Sequence, residues 1–352
     1  MKVALITDTH FGARSDSIPF DNFFAKFYTE VFFPHLEQAG IKTIIHLGDV
    51  FDRRKFINYN TLKKCREYFF DKARDLGIDV HMIAGNHDTF FKNTNEVNSL
   101  DLLLREYGNV ITYSDAEEIK LDGKNLLLVP WICSGNYAET MEVVDKSNAQ
   151  AVFGHFEFSG FEMYRGHKND HGMGTERFDR FPLVCSGHFH HRSRTGNILY
   201  LGNTYEFTWS DYNDKRGYHL YDTETNEVEF FENPFQIFHK LYYDDTVDDF
   251  SLLDLGPLVG SCVRLVVVKK TDFYKFDRFV DKLYDCNLLE FKIIEDFSEF
   301  ETEAIEGEEQ INVEDTISVL SDFVDSVSTD LDKDRIKSVL NELYIEAQHV
   351  TV

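Results

Sequence analysis

Residues 43–52 read TIIHLGDVFD, and residues 79–88 read DVHMIAGNHD. Each is a short, β-branched apolar run that ends at a glycine, followed at once by side chains able to bind a cation or carry a proton. The runs predict buried strands. A residue without Cβ at their end lets the backbone turn sharply and aims the next side chain off the strand. Working outward, the same form recurs. Val3–Thr7 runs into Asp8-Thr9-His10, Ala149–Phe153 into Gly154-His155, and Leu183–Cys185 into Gly187-His188-Phe189-His190. Leu126–Val129 and Ile198–Leu201 predict two further strands. Helical periodicity fills the gaps. Phe20–Ala39 sets Phe20, Phe23, Phe24, Phe27 and Val31 on one face and stops at Gly40, with Pro34 expected to kink or split it. Asn60–Leu76 carries Leu62, Cys65, Phe69, Ala73 and Leu76 and ends at Gly77. A third helix is expected over Asn95–Tyr107. This alternation of strand and helix, followed by mostly strand, predicts an α/β core.

In α/β sheets ligands collect beyond the carboxyl ends of strands, so five loops should feed one crevice. Carboxylates, an amide oxygen and imidazoles without a thiolate suit fairly hard divalent ions such as Mn or Fe, with Zn as an alternative, and not a structural cysteine site. Seven donor candidates exceed what one ion with an open position needs. Two ions about 3.5–4 Å apart that share one carboxylate would use them all, which is the arrangement employed for in-line displacement at phosphorus.

Composition sets the frame. A chain of 352 residues with 43% apolar and 28% charged side chains can bury one sizeable core and a companion domain, and is too apolar to be disordered. No apolar run approaches the roughly 18 residues of a membrane span, and the amino-terminal run breaks at Asp8, so an unexported, cytoplasmic protein is expected. The 5 cysteines form no C-x-x-C pair and imply no disulfide framework. The net charge of −26 argues against a polyanionic ligand only until its distribution is read. Residues 1–230 hold 25 basic and 34 acidic side chains, whereas residues 231–352 hold 11 and 28. Bound divalent ions add positive charge that this count omits. Past residue 235 the texture changes. Ser261–Val268, a helix over Asp272–Asp285 and Leu288–Glu295 form a strand-helix-strand unit. A stretch without Lys or Arg runs over 293–332 and reads as a solvated linker around Glu295–Glu309. Two amphipathic helices follow, one with Ile317, Leu320, Val324 and Val327, the other with Ile336, Val339, Leu340, Leu343 and Tyr344.

The series D-x-H, G-D-x-x-D, G-N-H-D, G-H and G-H-x-H resembles the calcineurin-like metallophosphoesterases over residues 1–210. Within them the chain looks most like the SbcD-type nuclease subunits of double-strand-break repair complexes, in their compact bacteriophage form. The stretches that carry this are GDVFDRRK (48–55), GHFEFSG (154–160), SGHFHH (186–191), YLGNT (200–204) and RGYHLYD (216–222). Gly202-Asn203-Thr204 departs from the family's Gly-Ser/Thr-Pro. The resemblance implies a four-layer core of two mixed β-sheets face to face, flanked by helices, with a small α+β capping domain and C-terminal helices. It divides the chain into a nuclease domain (1–232), a cap (233–296), an acidic linker (297–312) and a helical docking segment (313–352). By motif position, one metal ion falls to Asp8, His10, Asp49 and His190, and the other to Asp49, Asn86, His155 and His188. Mn(2+) is the favoured ion, with Mg(2+), Fe or Zn as alternatives. His87 is expected to face the scissile phosphate, and Asp52 to orient His87 with its carboxylate.

Each motif member alone reads equally well as a hydrogen-bonded loop residue, and only the set carries weight. His46 and His81 sit inside strand patterns and are assigned to the core; His35, His219, His239 and His349 have no motif context. His191 is expected to be structural. Arg53, Arg54 and Lys55 are candidate DNA contacts, weighed against a plain solvated loop, and the loop Gly160–Phe181 with Arg165 either borders the substrate or merely wanders. The resemblance implies 3′ to 5′ duplex exonuclease and single-strand endonuclease activity on DNA, an SbcC-type coiled-coil ATPase partner, and a homodimer through the helical region Asp16–Ala39. A phosphomonoesterase or protein phosphatase with the same core, and a non-catalytic scaffold of this fold, are the competing readings.

Overall fold

The computed structural model describes residues 1–295, together with Lys333 and Arg335. The acidic linker and the docking segment expected beyond residue 296 otherwise lie outside the described residues.

One mixed sheet has parallel strands β1 (Lys2–Ile6), β2 (Thr43–His46), β3 (Asp79–Ile83) and β4 (Val110–Tyr113), with β13 (Gly217–Asp222) added antiparallel beside β1 and β14 (Glu227–Glu232) antiparallel beside β13 at the edge. A second has parallel β6 (Lys124–Val129), β7 (Ala151–His155), β10 (Val184–Gly187) and β12 (Ile198–Tyr200), edged by antiparallel β5 (Glu117–Leu121) and β11 (Ser193–Thr195). Strand alternation decides what each face meets. Val3 and Leu5 of β1 pack with Ile45, Leu128, Phe153 and Cys185 between the sheets, whereas Ala4 and Ile6 face the aromatic helices that carry Phe24, Phe27, Phe33 and Phe69. On the far side, Val152 and Val184 meet the helix Tyr137–Lys146 and Phe156, Phe158 and Phe178. The result is four layers, helix-sheet-sheet-helix, as expected.

Pro34 does not split its helix. Residues Ile18–Phe27 and Phe33–Ala39 are α-helical and join through a wide turn, Tyr28–Phe32, where the Phe33 N–H reaches the carbonyl of Tyr28. That turn places Pro34, which has no N–H to give, in the first turn of the next helical segment. A like turn, Arg66–Phe70, interrupts the helix Tyr59–Asp75 and buries Tyr68, Phe69 and Phe70 in succession. The third expected helix is shorter than its periodicity suggested, spanning Ser99–Leu103 only. Asn98 caps it by accepting from the Asp101 N–H at 2.9 Å, and Asn95 donates to the carbonyls of Ser114 and Trp131, so the backbone before residue 98 is held in bends outside the helix.

A short hairpin, β8 (Glu162–Tyr164) and β9 (His167–Lys168), lies in the 160–181 loop. A separate all-parallel sheet follows, with β16 (Cys262–Lys269) between β15 (Phe238–Asp244) and β17 (Glu290–Ile294). The helix Phe273–Tyr284, N-capped by Asp272, covers it through Phe276, Phe279 and Leu283. All five cysteines are unpaired, and no helix among the described residues is long and apolar enough to cross a membrane.

Candidate metal centre

The loops after β1, β2, β3, β7 and β10 meet at one end of the two sheets. Four residues there without the glycine's freedom take left-handed backbone: Asp8 (φ 50°), His10 (40°), Asp49 (53°) and His188 (84°). Such strain persists only where neighbours enforce it. Here the first two loops zip together, with Asp8 N–H donating to the Gly48 carbonyl at 3.0 Å, His10 N–H to that of Asp49 at 3.1 Å and Phe11 N–H to that of Val50 at 2.8 Å. Two glycines are required by clearance. A Cβ at Gly85 would stand 2.2 Å from Asp49 Oδ1, and one at Gly48 (φ 93°) would stand 2.7 Å from His155 Nδ1.

The seven expected metal-binding side chains are brought together. Donor atoms of Asp8, His10 and His190 lie within 4.8 Å of one another, as do those of Asp49, His155 and His188, and those of His10, Asp49 and His87. Asp49 stands between the groups, its Oδ2 3.3 Å from His155 Nε2 and 3.7 Å from His10 Nε2. Asn86 Oδ1 lies 2.9 Å from His155 Nε2 and 3.0 Å from His188 Nδ1. The His155 Nδ1–H donates to the Leu47 carbonyl at 2.7 Å, which turns Nε2 toward the centre. Asp8 accepts from Thr7 Oγ1 at 2.6 Å and from the His188 N–H at 3.1 Å.

The donor set fits divalent ions. Buried His10 Nε2 has no hydrogen-bond partner among the described residues, and the atoms facing it are carboxylate oxygens at 3.7 and 4.0 Å. Protons are drawn in for the same reason. Burial lowers the affinity of His10 and His155 for a proton, yet Asp52, Asp49 and Asp8 around His10, and Asp49 and Asp8 around His155, raise both to about 9. Burial pushes Asp8 up to about 6. Asp49 is also buried, but His155 and His87 beside it hold it well below the usual carboxylate range. His188, desolvated and next to His155, falls to about 3. A cation shared among Asp8, Asp49 and these rings satisfies the same negative charge.

His87 is half-buried at the edge of the centre, its ring 4.8 Å from that of His10. Its contact with Asp52 differs from expectation. His87 Nδ1–H donates to the main-chain carbonyl of Asp52 at 2.6 Å, while the Asp52 carboxylate is 3.4 Å from His10 Nδ1. The backbone of the G-D-x-x-D loop therefore sets the His87 tautomer, and the carboxylate is turned to a different ring. Of the three basic candidates, Arg54 donates to the Thr89 carbonyl at 3.2 Å and to Thr89 Oγ1 at 3.3 Å, and Arg53 pairs with Asp16 at 3.3 Å. Lys55 is exposed.

Some of the architecture was not anticipated. Buried Asp88 accepts from the N–H groups of Val50 (3.0 Å), Phe51 (3.2 Å) and Gly85 (2.9 Å), tying the loop of Asp49 to the loop of Asn86. Its place as the last residue of G-N-H-D was the available signal. Buried His46 contacts Thr9 Oγ1 at 3.0 Å, and that hydroxyl donates to the Val50 carbonyl. The ring of Trp131 lies 5.2 Å from that of His188, a contact with no motif to announce it.

A phosphoesterase-type dinuclear site on a four-layer core defines a class, and residues 1–240 match the calcineurin-like phosphoesterase family; the chain belongs to it. Over 352 residues, 99% of both chains, it is 31% identical to "Exonuclease subunit 1" of Enterobacteria phage T4. It is 24% identical to a putative phosphoesterase of Invertebrate iridescent virus 6, over 78% of this chain and 96% of that one. Among solved structures it is similar to a dimetal phosphatase from Danio rerio, at 10% identity over 67% of this chain and 97% of the other, with a TM-score of 0.41.

Proposed function

We propose that this chain is the nuclease subunit of a DNA-processing complex, hydrolysing phosphodiester bonds as a 3′ to 5′ exonuclease on duplex ends and an endonuclease on single strands. The observation that carries this is the convergence of five distant loops on Asp49, in a phosphoesterase similar from end to end to a phage exonuclease subunit. Asp8, His10, Asp49 and His190 hold one divalent ion, and Asp49, Asn86, His155 and His188 the other, with Mn(2+) favoured. Such ions polarise the phosphoryl group and supply a nucleophile from water at neutral pH. The chain's own groups do the rest. Leu47 and Asp52 carbonyls fix the tautomers of His155 and His87. With Nδ1–H committed to the Asp52 carbonyl, His87 acts as the imidazolium, whose Nε2–H donates to the phosphate oxygens and passes its proton to the leaving 3′ oxygen.

The same reading gives 1–232 as the nuclease domain, 233–296 as the cap, 297–312 as a linker and 313–352 as the segment that docks on a coiled-coil ATPase of the SbcC type. It adds a homodimer through the helices of residues 16–39 and a cytoplasmic location. The test pairs a 3′-end-labelled duplex with a small chromogenic phosphate monoester under Mn(2+). Label release with the monoester untouched is expected; hydrolysis of the monoester with intact DNA would overturn the nuclease assignment. His87→Ala should abolish cleavage, by about a thousandfold or more, with metal content unchanged on the same sample. Loss of the metal would make His87 a ligand.

A further inference from the structure

A cavity of about 390 Å³ is a neighbour of the metal centre and includes none of the seven metal-binding candidates in its wall. Its wall includes His191 and Arg192, which directly follow His190, and Arg165 from the β8–β9 hairpin. Buried Arg216 braces it from below, donating to the main-chain carbonyl of His190 and to Asn203 Oδ1. Asn203 is one of the two residues, with Thr204, at which the 202–204 loop departs from the Gly-Ser/Thr-Pro pattern, and its Oδ1 is one of the acceptors of this brace.

The cavity is electrostatically lopsided in a chain of net charge −26. Every carboxylate that lines it already has a partner. Asp214 Oδ2 sits between His191 Nδ1 at 2.7 Å and Arg216 Nη2 at 2.9 Å, and Glu232 pairs with Lys215 at 2.7 Å. Glu206 Oε2 accepts from the N–H groups of Ile237 and Phe238 at 2.8 and 3.1 Å. The two guanidiniums at the mouth are not used in this way. Arg165 and Arg192 are exposed, and neither is ion-paired among the described residues; Arg192 rests 4.4 Å above the ring of Phe230, which fixes it at the wall. Planar forks of this kind bind phosphate oxygens two at a time.

We propose that this cavity holds a backbone phosphate of the DNA strand next to the scissile one, with Arg165 and Arg192 as its ligands. The assignment rests on the nuclease reading above. His190 belongs to the metal centre and His191 and Arg192 line the cavity, so a strand extending from the centre past His190 would meet the two arginines, which would then set the stretch presented for cleavage. It also gives the polar 160–181 loop a role, that of carrying one of the two cations to the strand.

The experiment uses the full chain and the double variant Arg165→Gln/Arg192→Gln. KM for a single-stranded oligonucleotide is compared with kcat/KM for bis(p-nitrophenyl) phosphate, a phosphodiester with no second phosphate, and oligonucleotide binding is followed by anisotropy with metal chelated. The variant should raise the oligonucleotide KM about tenfold and make its dependence on log salt shallower by about 0.7, the value for one phosphate contact on a single strand. Hydrolysis of the small diester should not change. Arg165→Lys/Arg192→Lys, which keeps the charge without the fork, should recover part of the loss. An unchanged oligonucleotide KM and salt slope overturn the proposal while leaving the nuclease reading intact, and so does an equal loss on both substrates, which would mean a structural role. A wild-type chain that hydrolyses the diester but neither binds nor cleaves the oligonucleotide sinks the nuclease reading and this site together.

Discussion

His155 and His219 are both buried, at 0% and 2% exposure, and lie at two places in the same pair of sheets. At the carboxyl end of β7, His155 donates to Leu47 and points its second nitrogen at Asp49, 3.3 Å away. In the middle of β13, His219 sits opposite Leu5 with neither ring nitrogen hydrogen-bonded among the described residues. Burial pushes both toward the neutral form. The carboxylates reverse it for His155, to about 9, and nothing does for His219, which falls to about 3. A buried imidazole is thus made reactive by converging negative charge, not by desolvation. The crevice collects that charge by holding Asp8 and Asp49 in strained backbone, whereas the interior between the sheets is plain apolar packing.

The sharpest way to break the contrast is Asp49→Asn, which keeps the shape and removes the shared charge. Activity on a small phosphodiester should fall by about a thousandfold or more, several kcal/mol of transition-state stabilisation, and metal content measured by mass spectrometry should drop with it. Next comes the scaffold of the crevice. Asp88→Ala orphans three buried N–H groups, and urea melts should show a loss of about 3–5 kcal/mol, with full metal binding unattainable even in the folded fraction.

His219 tests the other side. The folded chain keeps it neutral down to about pH 3, and the unfolded chain protonates it below 6.5. The unfolded state then binds more protons between those values, so stability falls as pH drops from 6.5 toward 3. Between pH 7 and pH 5 the residue should cost about 2 kcal/mol. Urea melts at both values should show a smaller drop for His219→Leu than for the wild type, and equal drops would contradict the account. The smallest effect belongs far from the crevice. Asp272 accepts from the Lys275 N–H at 3.1 Å as a helix cap, and Asp272→Ala should lower stability by about 1 kcal/mol while leaving hydrolysis of the small diester at the wild-type rate.

Strands β1, β2, β3, β7 and β10 and the residues that gather at their ends could be read from the chain because each strand-glycine-donor unit is local, whereas the order of strands within each sheet and the edge strands β4, β5, β11 and β14 could not. A few consecutive residues contain the burial pattern, the turn and the side chain that the turn aims. The helix periodicity was legible for the same reason, though the wide turns before Pro34 and Asp71, and the late start at Ser99, were not, since those depend on what the aromatic face meets and on the tether from Asn95 to Trp131. Contacts between segments far apart in sequence were decided by the tertiary structure alone. It turned the Asp52 carboxylate to His10 and gave His87 a carbonyl instead, made Asp88 the clamp between two loops, and set Arg165 beside Arg192 on one cavity. Spacing along the chain states which groups are available; which atom of each group faces which neighbour follows only when the layers have closed around them.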